Sequence, residues 1–375
     1  MNRSRAAVAL LLIATQLAAC TRLAPSAPRR PQPAESLPEP SRSAQSAGPA
    51  VRTVSAAARA TTAQLGVQIF WHGVNDPDAL RANATRLLDY VVGLGANSVG
   101  ITFPISVDGA RPTRVYATPG VTPTPSDLRE LVALARERGL RVQLRPLIDE
   151  ANLKAAVAWR GSIEPRSVSG WFTSYTNLLV PFLEAAQESG ADVFVIGSEL
   201  DSLVRYESQW RAVVVRARTL FRGRLAYADN WGSWATGRPT VPGVEPGVDA
   251  YPKLGVDDSS STAKITRAWT AWFGNRPADL TRTVVQEIGI AATSGAYHGP
   301  AAWPRGHETL RPDIQIRWFA GACAAARSLH LAGIYFWTLD AWADPANAAG
   351  YDVGSFIGRG DQAIKECFAN GWPSR

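Results

Sequence analysis

The sequence predicts a (β/α)₈ barrel, on three observations. Short apolar runs alternate with amphipathic segments from Leu65 to the C-terminus. Eight such strand-like runs can be counted, and eight βα units over roughly 300 residues is the ordinary size of that fold. No Gly-rich turn follows the first run, which reads Phe70-Trp71-His72-Gly73. A doubly wound nucleotide-binding sheet would be expected to carry one there.

The strands are expected at 66–72, 97–105, 141–148, 191–198, 224–228, 248–251, 283–287 and 332–337. Helices are expected between them wherever apolar residues recur with the helical period. These are 77–93, with Leu80, Leu87, Leu88 and Val91 on one face, then 126–138, 170–189, 207–221, 262–273 and 312–329, and a closing helix over 361–369. Ser126 is the expected N-cap of the second helix, and Gly139 lies just past its end. The connection 230–248 shows no helical pattern and reads as loop.

The segment before the barrel has a different character. Arg3 and Arg5 precede an apolar run from Ala6 to Ala14, and Leu17-Ala18-Ala19-Cys20 follows. The run is too short to span a bilayer and fits the apolar region of a signal peptide. Leu-Ala-Ala-Cys resembles the bacterial lipobox, which implies that residues 1–19 are removed and Cys20 is lipidated. An ordinary signal peptide with an incidental cysteine is the alternative. Residues 20–62 are rich in Pro, Ala, Ser and Arg and cannot bury enough surface to fold. They are expected to form an extended tether. The catalytic domain is then 63–375, held at the membrane in the bacterial cell envelope, outside the cytoplasm, as a monomer.

The charge supports this division. The chain has a formal net charge of +7, and the first 60 residues hold eight arginines against two glutamates. The folded part is therefore nearly neutral, and no nucleic-acid partner is expected. The 13 tryptophans suit a sugar-binding cleft as well as a core, because a flat indole stacks on the apolar face of a pyranose.

Function in such barrels gathers at the C-terminal strand ends. Those ends present Trp71, Asp149, Glu199, Asp229-Asn230-Trp231, Tyr251, Glu287 and Trp337. Two apolar runs lead straight into a carboxylate: Val193 to Ser198 into Glu199, and Val284-Val285-Gln286 into Glu287. A charge ending a buried strand is costly and needs a reason. Carboxyls on the fourth and seventh strands would face each other across the barrel mouth. Glycosidic hydrolysis needs such a pair, one protonated to assist the leaving group and one ionised to attack C1. The four histidines lack metal-ligand spacing, and there is neither a nucleophile elbow nor a phosphate loop. No metal or cofactor is expected.

An ordered series of motifs runs through the same region. It comprises Arg145-Pro146-Leu147-Ile148-Asp149, Trp159-Arg160-Gly161-Ser162-Ile163, Trp171-Phe172-x-x-Tyr175 and Ile196-Gly197-Ser198-Glu199-Leu200. Ala226-Tyr227-Ala228-Asp229-Asn230-Trp231, Val248-Asp249-Ala250-Tyr251 and Gln286-Glu287-Ile288-Gly289 continue it. From about Gly66 to Asp340 the sequence resembles glycoside hydrolase family 113, a clan A family of retaining enzymes known chiefly as endo-β-1,4-mannanases. The resemblance implies Glu199 as acid/base and Glu287 as nucleophile. It implies that Trp71, Arg145, Asp149, Trp159, Arg160, Asn230, Trp231, Tyr251 and Trp337 line or brace the substrate cleft, with Tyr251 hydrogen-bonded to Glu287. Two positions depart from the pattern. Arg145 stands where Lys is expected, and Ser198 where much of the clan has Asn.

The reading is a retaining β-glycosidase acting on a polysaccharide, with β-1,4-mannan as the leading substrate. The alternatives are a hydrolase of another exopolysaccharide or of a cell-wall glycan, and a non-catalytic glycan-binding lipoprotein on the same barrel. Cys323 and Cys367 fall on neighbouring helices, which leaves a disulfide and two buried thiols both open.

Overall fold

Eight parallel strands pair in one closed ring. In this computed structural model, the described residues are 51–375 apart from 57, 59–60, 75, 149–150, 238–239, 277–278, 303–307, 351–353, 370 and 373–375. The expected signal peptide, Cys20 and most of the expected tether therefore lie outside the described residues, and so does Asp149.

The elements in chain order are β1 (Gln64–Phe70), α1 (Pro77–Gly93), β2 (Ser98–Val107), β3 (Val115–Tyr116), α2 (Pro125–Glu137), β4 (Arg141–Ile148), α3 (Ala151–Ala155), α4 (Val168–Ser189) and β5 (Val193–Ser198). They continue with α5 (Glu207–Leu220), β6 (Arg224–Asn230), α6 (Trp231–Ala235), β7 (Glu245–Ala250), α7 (Thr262–Phe273), β8 (Val284–Ile288), α8 (Pro312–Ser328), β9 (Gly333–Asp340) and α9 (Asp361–Ala369). The ring order is β1-β9-β8-β7-β6-β5-β4-β2, and pairing of β1 with β2 closes it. The two-residue β3 stands outside the ring, antiparallel to the end of β2. Eight parallel strands in sequence order with intervening helices make the predicted (β/α)₈ barrel.

Local chemistry explains the helices. The Asp76 side chain caps α1 by accepting from the Ala79 amide, and Pro77 occupies the first helical position. Leu80, Ala84, Leu87, Leu88 and Val91 then form its buried face. Ser126 is not the cap of α2. Thr124 caps it instead, in a reciprocal capping box with Asp127, so the helix starts at Pro125. The Pro in the first turn, where no amide hydrogen is needed, moves the start back by one residue. The 230–248 connection is not all loop, because Asn230 caps the five-residue helix α6 by accepting from the Gly232 amide. That helix is too short to show a period in sequence.

Two apolar layers hold the barrel. The large one lies between strands and helices and contains most of the tryptophans, with Trp171, Trp210, Trp234, Trp269 and Trp318 fully buried. A small one, Val193, Val195, Ala226 and Ala228, fills the inside between β5 and β6. Trp171 stacks on Tyr175 at 4.9 Å between ring centres, and the Tyr175 hydroxyl donates to the Ile196 carbonyl at 2.7 Å. The Trp171-Phe172-x-x-Tyr175 motif is thus core, and it pins the strand that leads into Glu199. Cys323 in α8 and Cys367 in α9 form a disulfide with Cα atoms 5.6 Å apart.

Candidate active site

The chain leaves β5 through a tight backbone turn. Glu199 has φ +54, a left-handed conformation that is uncommon for a residue with a side chain. Its amide donates to the Ala228 carbonyl at 2.8 Å, across a register shift between β5 and β6. Gly197, two residues earlier, is required by packing: a Cβ there would stand 2.9 Å from the Tyr227 ring and 3.0 Å from Trp210. The turn aims the Glu199 carboxyl into the barrel mouth.

Each Glu199 oxygen has its own donor. Asn230 Nδ2 donates to Oε1 at 2.8 Å, and Arg160 Nη1 donates to Oε2 at 2.7 Å. The Arg160 guanidinium is itself placed by Nε donating to the Ile148 carbonyl at 3.1 Å. Asn230 is fixed because its Oδ1 serves as the α6 cap.

Glu287, on β8, is held from the other wall. Tyr251 donates its hydroxyl to Glu287 Oε2 at 2.8 Å. Arg145 Nη2 stands 2.7 Å from Glu287 Oε1 and 2.6 Å from Asp249 Oδ2. The Arg145 hydrogen bond runs to Asp249, while its contact with Glu287 is an ion pair that leaves Oε1 without an aligned donor. Arg145 Nε donates to Ser198 Oγ at 2.9 Å. Arg145 and Asp249 are fully buried.

The electrostatics follow from burial. Glu199, Glu287 and Asp249 face Arg145 and Arg160, so the fully ionised cluster carries one net negative charge. Such crowding favours retaining a proton on the buried Glu287 and Asp249. Burial pushes the Glu287 carboxyl above its usual range, with Arg145 opposing and the Glu199 charge adding to the rise. Asp249 is pushed well above its usual range, again by burial against the pull of Arg145. Burial alone would disfavour the Arg145 charge, but Asp249 and Glu287 hold its pKa above the ordinary value. The Tyr251 phenol is raised by burial and by the Glu287 charge, so it stays a proton donor.

These groups open onto one cavity of about 260 Å³, lined among others by Trp159, Arg160, Glu199, Trp231, Tyr251, Glu287 and Trp337. The half-buried indoles of Trp159, Trp231 and Trp337 therefore face the same space as both carboxyls. Trp231 meets the Tyr251 ring edge-on at 5.7 Å, and the Arg145 guanidinium lies 5.8 Å from the Trp337 ring centre. The Trp337–Thr338 peptide bond is cis.

The expected site residues thus fall into three groups. Glu199, Glu287, Trp159, Arg160, Trp231, Tyr251 and Trp337 line the cavity. Arg145 and Asn230 are buried behind it and hold the carboxyls. Trp71 is a correction: it is 1% exposed and packs in the core between strands and helices, so it offers no face to a ligand. Its place at the first strand end suggested a cleft position, but Trp71 continues the alternation of Leu65, Val67 and Ile69, which pack in the same buried core, and its amide still pairs with the Thr102 carbonyl at 2.7 Å. Asp249 was missed as a site residue, although a buried carboxylate two residues before Tyr251 is the same signal that marked the two glutamates. The loop after β8 was also missed. Ile290, Ala291 and Pro300 to Ala302 form one wall of the cavity, and nothing polar marks them.

No curated protein sequence matches the chain. Among solved structures, the GH113 β-mannanase AaManA from Alicyclobacillus acidocaldarius, in complex with ManMIm, is similar with a TM-score of 0.69 at 19% identity, over 83% of this chain and 99% of that one. Another structure, a GH113 β-1,4-mannanase, aligns with the same score and identity over 83% of this chain and 100% of that one. A GH5_18 protein from Bifidobacterium longum subsp. longum is more distant, at TM-score 0.52 and 14% identity over 84% and 81% of the two chains. The family model of Glycoside Hydrolase Family 113 matches residues 76–355, and the chain, a glycoside hydrolase on a (β/α)₈ barrel, belongs to that family.

Proposed function

We propose that this glycoside hydrolase cleaves β-1,4-mannan within the chain, with retention of configuration. Glu287 is the nucleophile and Glu199 the acid/base. The observation that carries the reading is that two carboxyls on opposite walls of one cavity are each held by a separate guanidinium and a separate neutral donor. Glu287 Oε1 has no aligned donor, so a lone pair is available to attack C1. Arg145 and Tyr251 stabilise the ionised carboxylate that attacks and then departs. Glu199 delivers its proton to the leaving oxygen, then takes one from the water that hydrolyses the glycosyl-enzyme. Arg160 and Asn230 hold it in place for both steps. Trp337, Trp231 and Trp159 supply flat faces for the sugars. The mannan assignment rests on the likeness to two family 113 structures, a β-mannanase and a β-1,4-mannanase.

A reducing-end assay over β-mannan, β-glucan, β-xylan and a bacterial exopolysaccharide tests the reading. Release from mannan by the wild type, and none by Glu287→Ala, is the expected result. Turnover of a different glycan alone would replace the substrate. Glycan binding without turnover in the wild type would favour the non-catalytic reading.

The same proposal places the enzyme on a membrane through lipidated Cys20. The support is Leu17-Ala18-Ala19-Cys20 after the apolar run. Two or more acyl chains give firm anchoring. Expressed in a bacterium, the wild type should fractionate with membranes and Cys20→Ala should not. Mature protein beginning at any residue other than Cys20 would exclude lipidation.

A further inference from the structure

An exposed tryptophan stands beyond the described cavity, on the same end of the barrel. Trp342 is 52% exposed, and among the described residues it is the one aromatic side chain that is both large and exposed. Its exposure is not that of a loose loop. The flanking Ala341 and Ala343 are both buried. The Trp342 amide donates to Asp340 Oδ1 at 2.8 Å, and the Ala341 amide donates to the Phe70 carbonyl at 3.0 Å. Arg86 Nε reaches the Ala343 carbonyl at 3.0 Å from α1. The backbone is thus pinned on both sides of a ring that is left in water. Burying an indole is strongly favourable, so a fixed and exposed one is a position to be explained.

A line of aromatic groups leads from the catalytic cavity toward Asp340, on which the Trp342 amide rests. Trp337 lies in that cavity, and its ring centre is 6.1 Å from that of Phe70. Phe70 in turn is 5.1 Å from His72. His72 Nε2 pairs with Asp340 Oδ2 at 2.8 Å, and Asp340 carries the Trp342 amide on its other oxygen. A Cβ built on Gly73 would stand 3.9 Å from the Trp342 indole nitrogen, so the ring sits by the loop after β1. The rim here offers a flat apolar face beside a half-exposed His72–Asp340 hydrogen-bonded pair. A pyranose has the matching character, with C–H groups on one face and hydroxyls around its edge.

We propose that Trp342, with the His72–Asp340 pair beside it, is a distal sugar subsite that holds a β-1,4-linked chain beyond the cavity. The proposal rests on the mannan reading above. Its place in the ring sets the direction. β9 and β1 lie across the barrel from β5, which carries the acid/base, and the leaving group departs on the acid's side. The subsite therefore grips the non-reducing part of the chain, and it favours long chains over short ones.

The test is kcat/KM on β-1,4-manno-oligosaccharides of two to six units, for the wild type, Trp342→Ala and Trp342→Tyr, with melting temperatures recorded for each. The wild type should gain with length. Trp342→Ala should lose about tenfold on the longest substrate, with the loss shrinking as the chain shortens and its melting temperature unchanged. Trp342→Tyr should recover most of the loss, because a flat ring remains. A Trp342→Ala profile parallel to that of the wild type at every length would overturn the subsite and leave the mannan reading intact. So would an equal loss at every length with a lowered melting temperature, which marks a structural role. Failure of the wild type on the whole series would remove the mannan reading, and the subsite with it.

Discussion

Arg145 Nε donates to Ser198 Oγ at 2.9 Å, and the same guanidinium reaches Asp249 and Glu287 through Nη2. The two departures from the family pattern noted in the sequence are therefore one hydrogen-bonded pair. A longer, forked cation on β4 is matched by a shorter side chain on β5. With Ser198 only 3% exposed and engaged by Arg145, its hydroxyl braces the cation rather than facing a sugar.

Arg145→Lys should accordingly lower turnover by at least tenfold, because an ammonium cannot serve Ser198, Asp249 and Glu287 from one rigid fork. Arg145→Met should be worse. It leaves two buried carboxylates without a cation, which costs roughly 3–5 kcal/mol of stability. The measurement is kcat/KM with denaturant melts. A Lys variant with full activity would show that the fork is dispensable. In a double-mutant cycle, Ser198→Ala should add little on top of Arg145→Lys.

Asp229 faces away from the cavity, opposite in strand direction to Asn230. Burial raises its carboxyl to about 7, against the pull of Arg276 at 3.7 Å and with Asp201 adding to the rise. Unfolded, it titrates near 3.8. Between those values the folded state holds the proton and the unfolded state does not. Stability must therefore fall as pH rises from about 4 to about 7, and level off above. Asp229→Asn should flatten that slope and melt higher than the wild type at pH 8. Melts at pH 5 and pH 8 decide it, and an identical pH slope in both proteins would refute the buried-acid assignment.

The Cys323–Cys367 bond closes a loop with a sequence separation of 44 between the last two helices. Loop-closure entropy places its contribution at about 4 kcal/mol. Cys323→Ser with Cys367→Ser should lower the melting temperature by several degrees, since neither residue touches the cavity, and wild-type protein in reductant should match it. Unchanged stability in reductant would mean the bond carries no load.

Sequence alone reached the barrel because each strand and helix announces itself locally. The 77–93, 262–273 and 361–369 helices were legible to the residue from their apolar period, and Asp76 and Ser261 side chains cap the first two. It missed β3 and α3, which are too short to repeat a pattern. The two glutamates were legible because an ionisable group ending an apolar strand has few cheap explanations. Trp71 shows the limit of that logic: a strand end places the backbone at the mouth, but the alternation it shares with Val67 and Ile69 points the ring into the core. Asp249 and Ser198 were visible as residues, but their role was not. They act through Arg145, and contacts 53 and 104 residues apart in sequence leave no local trace.

The roles of the two glutamates are separable with one reagent. Removing Glu287 abolishes the attack on C1 and leaves a space between Arg145 and Tyr251, which once held its two oxygens. Azide is a small anion and fits that donor set. It can attack an activated glycoside directly, which inverts the anomeric centre. Glu199→Ala keeps the nucleophile but has lost the proton donor and the base. Natural substrates should then slow by about 10²–10⁴-fold, while aryl glycosides with good leaving groups still form the covalent intermediate. Azide intercepts that intermediate by a second displacement, which restores the original configuration. Proton NMR of the glycosyl azides should therefore show opposite anomers from the two variants: inverted from Glu287→Ala, retained from Glu199→Ala. The reverse pattern would exchange the roles of the two residues. Near-wild-type turnover by Glu287→Ala would remove it from the chemistry altogether.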